Sequence, residues 1–205
     1  MPEHSPTIGL NPNFSLSDSM KRPGVSPVSE VAQKSFDQFQ QLQEAAFVDK
    51  LTGVYNQNAW NDFRSHIDYT RGDQFSIVMI DLNGLKDIND KGSHFAGDEY
   101  LKSTASYLAS VFSRKGDRVF RTGGDEFVVV CEFIKPEDQN EFNSHYSSIF
   151  DPKLLEEKGL DFAYGIAHTD RQQDISFEDT FNRVDALMYQ NKTVIKAANP
   201  DKYSR

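Results

Sequence analysis

The sequence predicts an α+β fold, a mostly antiparallel central sheet flanked by helices packed on its faces. Three observations carry that expectation. The run Phe75-Ser76-Ile77-Val78-Met79-Ile80-Asp81 is apolar almost throughout and ends in an acid, so it reads as a buried central strand with a carboxylate at its C-terminal end. Gly123-Gly124 separates a brief strand, Arg118 to Thr122, from a longer apolar one, Phe127 to Phe133, which is a hairpin signal. Segments of helical period fall between the strands in the order βα(α)ββαβα.

Composition bounds the rest. The 205 residues, 38% hydrophobic and 26% charged, suffice for one core domain and a modest appendage. A formal net charge of -9 and a pI near 5.0 argue against a nucleic-acid or anionic-membrane surface, because phosphate binding rests on clustered Lys and Arg. A nucleotide bound to so acidic a chain should therefore need metal. The single cysteine, Cys131, lies inside Phe127-Val128-Val129-Val130-Cys131 and reads as a small core residue with no disulfide partner. No apolar stretch approaches the roughly 20 residues of a membrane span, and no signal pattern opens the chain. These features predict a soluble, cytoplasmic protein.

Residues 1–27, rich in Ser, Pro and Asn, are expected to be disordered. Residues 28–48 form a stalk helix or linker, with Val28, Ala32, Ser35, Phe39, Leu42 and Ala46 on one seam that suits either a coiled coil or packing on its own domain. The main domain spans 49–196. Within it, Asp49-Lys50-Leu51-Thr52-Gly53-Val54-Tyr55-Asn56 is a turn before a helix from Gln57 to about Tyr69. Leu101, Ala105, Leu108 and Phe112 carry a helix onward from Asp98, which fits a helix-start acid. An acidic, helix-compatible region from Pro136 to Phe150 precedes a strand, Leu160 to Ala167. Ser176-Phe177-Glu178-Asp179 opens the last helix as a capping box, and Phe177, Phe181, Val184 and Met188 line its apolar face. Residues 197–205 are a tail.

Three acids stand out by position. Asp81 ends one strand, and Asp125 and Glu126 stand at the bend before another, so together they could hold two divalent ions around a triphosphate. Taken alone, Asp81 also suits a cap on the next turn. Gly123 and Gly124 keep side chains out of the way of a polyphosphate approaching the backbone.

The five residues Gly123-Gly124-Asp125-Glu126-Phe127 resemble the signature of the GGDEF family, the diguanylate cyclases, and the likeness runs from about Asp49 to Lys196. It implies a ferredoxin-like palm, as in nucleotide cyclases. It also implies condensation of two GTP into cyclic di-GMP by a homodimer, with two Mg2+ or Mn2+ ions held at Asp81, the Leu82 carbonyl, Asp125 and Glu126. Asn89 and Asp98 match the family's guanine-binding pair, with Lys86 beside them. An amide and a carboxylate suit guanine and mismatch adenine.

Arg114 and Asp117 match the Arg-x-x-Asp of an inhibitory cyclic di-GMP site, although a charged loop would also account for them. Lys192 and Lys196 fall where the family has Lys and Arg for the terminal phosphates, and they equally suit solvated lysines near a helix C-terminus. His94 is expected to be structural. The chain departs from the family pattern at Gln57, Asn83, Ser93, Ile195 and Lys196; Asn83 replaces a second Asp. A catalytically silent module that binds GTP or cyclic di-GMP and signals through a partner is the alternative.

Overall fold

The computed structural model describes residues 27–67, 74–132, 134 and 136–203. The expected disordered segment, apart from residue 27, lies outside them. Contacts divide the chain into two units, Met1–Phe47 and Val48–Arg205. The described part of the first is α1 (Pro27–Phe47), a helix of 21 residues. Of its expected seam, Ala32, Ser35, Leu42 and Ala46 are exposed.

The second unit is built on a four-stranded antiparallel sheet in the order β2-β3-β1-β4. β1 (Phe75–Leu82) is central and buried at every residue, as its unbroken apolar run requires. β3 (Glu126–Glu132) pairs with it on one side and β4 (Phe162–His168) on the other, while β2 (Asp117–Arg121) forms an edge beyond β3. Cys131 is fully buried in β3, the core position its neighbours predict. Gly165 of β4 lies directly against α7 (Phe177–Ala198): a Cβ there would stand 2.4 Å from the Val184 carbonyl and 2.5 Å from the Met188 amide, so no larger residue fits.

The helices start where their caps allow. Asn56 accepts from the amides of Asn58 and Ala59 at the head of α2 (Gln57–His66), and Ser176 and Asp179 close the expected capping box on α7. α2 ends three residues short of the expected Tyr69, which lies outside the described residues. α3 (Leu85–Lys91) leads to α4 (His94–Val111), whose N-cap is Ser93, accepting from the Ala96 amide. The family departure at Ser93 therefore works as a helix cap in relaxed, extended backbone.

Asp98 consequently sits in the second turn of α4, too far along to be the helix-start acid that periodicity suggested. The acidic region after β3 forms a 3-10 turn and α5 (Gln139–Ile149), followed by a short α6 (Pro152–Glu157). The tail is not free chain. It forms α8 (Pro200–Tyr203) against the domain, with the Tyr203 hydroxyl donating to Asp161.

Aromatic packing ties the flanking helices to the sheet. Trp60 of α2, 2% exposed, lies against Phe120, Phe177 and Phe181, joining α2, β2 and α7 into one core.

Candidate active site

The site is assembled where β1 and β3 end beside α7. Antiparallel register sets Asp81 of β1 directly across from Glu126, the first residue of β3. Asp81 is 6% exposed and lies within the strand, so it is a buried group and not the loop-end group the sequence suggested. The loop from Thr122 to Asp125 is closed by Thr122 N–H donating to the Glu126 carbonyl at 3.0 Å and tied to β1 by Leu82 N–H donating to the Asp125 carbonyl at 3.0 Å.

Neither Gly123 nor Gly124 has positive φ, so the turn is not the two-residue left-handed hairpin that a Gly-Gly pair signals. Space distinguishes the two glycines. A Cβ on Gly123 would come within 2.8 Å of Glu126 Oε2, which folds back over it, and one on Gly124 would meet nothing within 4 Å. Gly124 thus presents open backbone to an approaching ligand.

Arg121 and Asp49 brace this loop. Arg121 Nη2 donates to the Gly124 carbonyl at 2.8 Å, while its Nη1 meets Asp49 Oδ1 at 3.2 Å. Asp49 in turn accepts from the amide and hydroxyl of Thr52, which explains the Asp-x-Leu-Thr pattern as an anchor for the turn acids. Burial pushes the Asp49 carboxyl up, but the Thr52 bonds and the Arg121 charge outweigh it and hold the group below its ordinary value.

Electrostatics confirm that the acids are gathered. Burial, then the charges of Asp81 and Asp125, raise the pKa of Glu126, with Asp185 adding to the rise and Lys192 opposing it. Asp185 went unnoticed in the sequence. The available signal was its place seven residues before Lys192, which puts both on one face of α7.

Lys192 Nζ lies 2.6 Å from Asp81 Oδ1, pairing with a carboxylate 111 positions away. Lys196, one turn on, is exposed. Among the described residues, no three His, Cys, Asp or Glu side chains are already drawn together as a metal cage. The reason is visible in the pairings, since Lys192 occupies Asp81 and Glu126 lies over Gly123.

The second cluster lies between α3 and α4. A Cβ on Gly97 would fall 2.1 Å from Asn89 Oδ1, so the Asn89 amide rests against the α4 backbone beside Asp98. Lys86, one turn before Asn89 on α3, is exposed, as is His94 at the start of α4. The structure therefore sets Asn89 against Gly97, the residue before Asp98.

It treats Arg114 and Asp117 differently. Asp117 Oδ2 accepts from the Arg114 backbone amide at 3.0 Å and from Nε at 3.2 Å, and Oδ1 accepts from Nη2 at 3.0 Å. The Asp117 side chain is 1% exposed and Arg114 49%, so the carboxylate is turned inward onto its own arginine. The guanidinium also lies over the Phe142 ring, 5.7 Å from its centroid.

Comparison with known proteins places the architecture. The sequence matches the family described as diguanylate cyclase, GGDEF domain, over residues 46–196. The chain belongs to the GGDEF family. Diguanylate cyclase VdcA of Vibrio cholerae is 24% identical over 165 residues, covering 77% of this chain and 48% of that protein. Diguanylate cyclase DgcM of Escherichia coli K12 is 30% identical over 159 residues, covering 75% of this chain and 38% of that protein. The chain thus spans about half, or less, of the length of these relatives. A solved microbial GGDEF domain, described in its interaction with cyclic di-GMP, superposes with a TM-score of 0.58 at 28% identity, covering 75% of this chain and 94% of that one. The four-stranded sheet with flanking helices is the GGDEF fold. No described helix is long and apolar enough to cross a membrane.

Proposed function

We propose that this GGDEF domain is a diguanylate cyclase that condenses two GTP into cyclic di-GMP and two pyrophosphates. The observation that carries the reading is the register pair Asp81 and Glu126, with Asp125 in the loop between strands, set apart from the Asn89–Asp98 pair on α3 and α4. One cluster suits a metal-bound triphosphate and the other a purine edge.

The donor set fits hard divalent cations: carboxylates from Asp81, Asp125 and Glu126, with the Leu82 carbonyl, offer oxygen ligands only. Burial, then the repulsion of the neighbouring carboxylates, raises Glu126, and that repulsion is what a cation would relieve. These residues would hold two Mg2+ or Mn2+ ions, and such ions, when bound, supply charge for the departing pyrophosphate and acidify the attacking 3'-hydroxyl. Lys192, released from Asp81, and Lys196 are placed on α7 to neutralise the terminal phosphates. Asn89 and Asp98 orient the guanine, and the open backbone at Gly124 admits the phosphates.

The 3'-oxygen of each GTP attacks the α-phosphorus of the other, the bond to pyrophosphate breaks, and the hydroxyl proton leaves to solvent or to a carboxylate of the site. Two such steps close the ring. Because one domain offers one GTP site, the working species is a homodimer that faces two bound nucleotides toward each other.

Arg114 and Asp117 are the candidate product-inhibition site. Since Asp117 is inward and satisfied, cyclic di-GMP would engage the exposed side of Arg114 first and would have to compete with Asp117 for the guanidinium. Incubating the purified chain with GTP and Mg2+ and chromatographing the products tests the proposal. Cyclic di-GMP with two pyrophosphates supports it; GTP binding without turnover indicates the silent module, and no binding removes the nucleotide site.

A further inference from the structure

We infer that the C-terminal segment is a positioning device for the candidate GTP site, acting through Lys202 and Tyr203 on Asp161 and through Asp161 on Asn83. The inference rests on the cyclase reading for its functional consequence, and on the bonds below for its existence.

The turn in question, Asn83-Gly84, joins Asp81 and Leu82 at the end of β1 to Lys86 and Asn89 on α3. It therefore sets the metal-side groups relative to the base-side groups. Gly84 is the N-cap of α3, has φ of 74°, and provides no side-chain cap, so the turn is not held locally. Its restraint comes from Asp161, just before β4. Asn83 N–H donates to the Asp161 carbonyl at 2.9 Å, and Asn83 Nδ2 donates to Asp161 Oδ1 at 2.8 Å. The Tyr100 hydroxyl joins the same knot, accepting from Asp161 N–H at 3.0 Å and donating to the Asp161 carbonyl.

The outer oxygen of Asp161 is held from α8. Tyr203 Oη donates to Asp161 Oδ2 at 2.5 Å, and Lys202 Nζ lies 2.7 Å from the same oxygen. Burial pushes the Asp161 carboxyl up, but Lys202, Tyr203 and Asn83 together hold it below its ordinary value, so it stays charged where a lone buried acid would not. One carboxylate is thus shared between the last turn of the chain and the turn beside the metal ligands.

This arrangement accounts for the departure at position 83. Asn83 is 4% exposed and its amide nitrogen faces a carboxylate, so the Asp common in the family at this position would set a buried acid against the half-buried Asp161 here. The amide, Asp161, Lys202 and Tyr203 form one interdependent set.

The test uses the full-length chain and three variants: Asn83→Asp, the exchange Asn83→Asp with Asp161→Asn, and Lys202→Met with Tyr203→Phe. Backbone amide exchange at residues 82–85 reads the turn directly without nucleotide. Equilibrium affinity for a non-cleavable α,β-methylene analogue of GTP with Mg2+ reads the site, and the urea midpoint reads overall stability. Loss of charge-assisted bonds to Asp161 should speed exchange at 82–85 and weaken analogue binding by roughly tenfold each in Asn83→Asp, and by several-fold in the Lys202–Tyr203 variant. The exchanged pair, in which the amide and the carboxylate trade places, restores the bond between positions 83 and 161 but leaves Lys202 and Tyr203 without a carboxylate, so both readouts should recover from the Asn83→Asp level to that of the Lys202–Tyr203 variant. Unchanged exchange at 82–85 in the Lys202–Tyr203 variant, no recovery in the exchanged pair, or a change confined to the urea midpoint would each overturn the inference. If wild type fails to bind the analogue, the cyclase reading falls, and amide exchange alone then decides whether the C-terminal segment holds the turn.

Discussion

Asp125 and Glu126 are adjacent in sequence but play different structural parts, because the first is held in the loop by its backbone and the second begins β3 opposite Asp81. Asp125→Ala should leave the urea midpoint nearly unchanged while lowering GTP turnover by a hundredfold or more, as removal of a metal-binding carboxylate does. Asp81 needs a gentler change. It is buried and paired with Lys192, so Asp81→Asn keeps the volume and tests the charge. At Gly123 the only obstacle to a methyl group is the flexible end of Glu126, so Gly123→Ala should fold normally, displace that carboxylate and cut turnover; wild-type rates would argue that the Glu126 position is unimportant. On the proposed reading, Asp98 governs base choice. A carboxylate that accepts two bonds from guanine would face an acceptor on adenine, so wild type should prefer GTP over ATP by orders of magnitude and Asp98→Ser should relax that preference. Competing the two nucleotides in one assay measures it.

At the scale of elements, β4 and α7 hold the site from behind. His168 of β4 accepts or donates at both ring nitrogens, with Ser76 Oγ 2.6 Å from Nδ1 and Asn143 Oδ1 2.9 Å from Nε2. Burial, then the charge of Arg183, push its pKa down to about 4, below the ordinary 6.5. The folded state therefore keeps this ring neutral where the unfolded chain would protonate it. Its contribution is fully present above about pH 6.5 and is lost as pH falls toward about 4. Urea unfolding at a series of pH values should show stability declining through that window, and His168→Gln should flatten that part of the decline. An unaltered slope in the variant would assign the acid sensitivity to the carboxylates.

For the molecule as a whole, the proposed two-GTP reaction would make activity depend on association. Specific activity should fall on dilution in step with the dimer fraction measured by sedimentation, and a chain that turns over at full rate as a monomer would contradict the two-site mechanism. The acidic surface, with a net charge of -9, adds a second dependence, since GTP without divalent cation meets repulsion. Chelation should remove nucleotide binding along with turnover.

The element types, and the candidate site residues, were legible because local pattern encodes them. An unbroken apolar run can only be a buried strand or helix, a capping box marks a helix start, and five consecutive residues at one turn identify a family. What needed tertiary structure was every relation between distant residues. Register decided that Asp81 faces Glu126, and closure of α7 over the sheet brought Lys192 and Asp185 to them. Asp117 was legible as a binding acid but not as one already satisfied by Arg114, because a sequence shows a carboxylate's presence and not its orientation. The tail read as featureless for the same reason: Lys202 and Tyr203 carry no local pattern, and only the folded chain brings to them the half-buried carboxylate of Asp161.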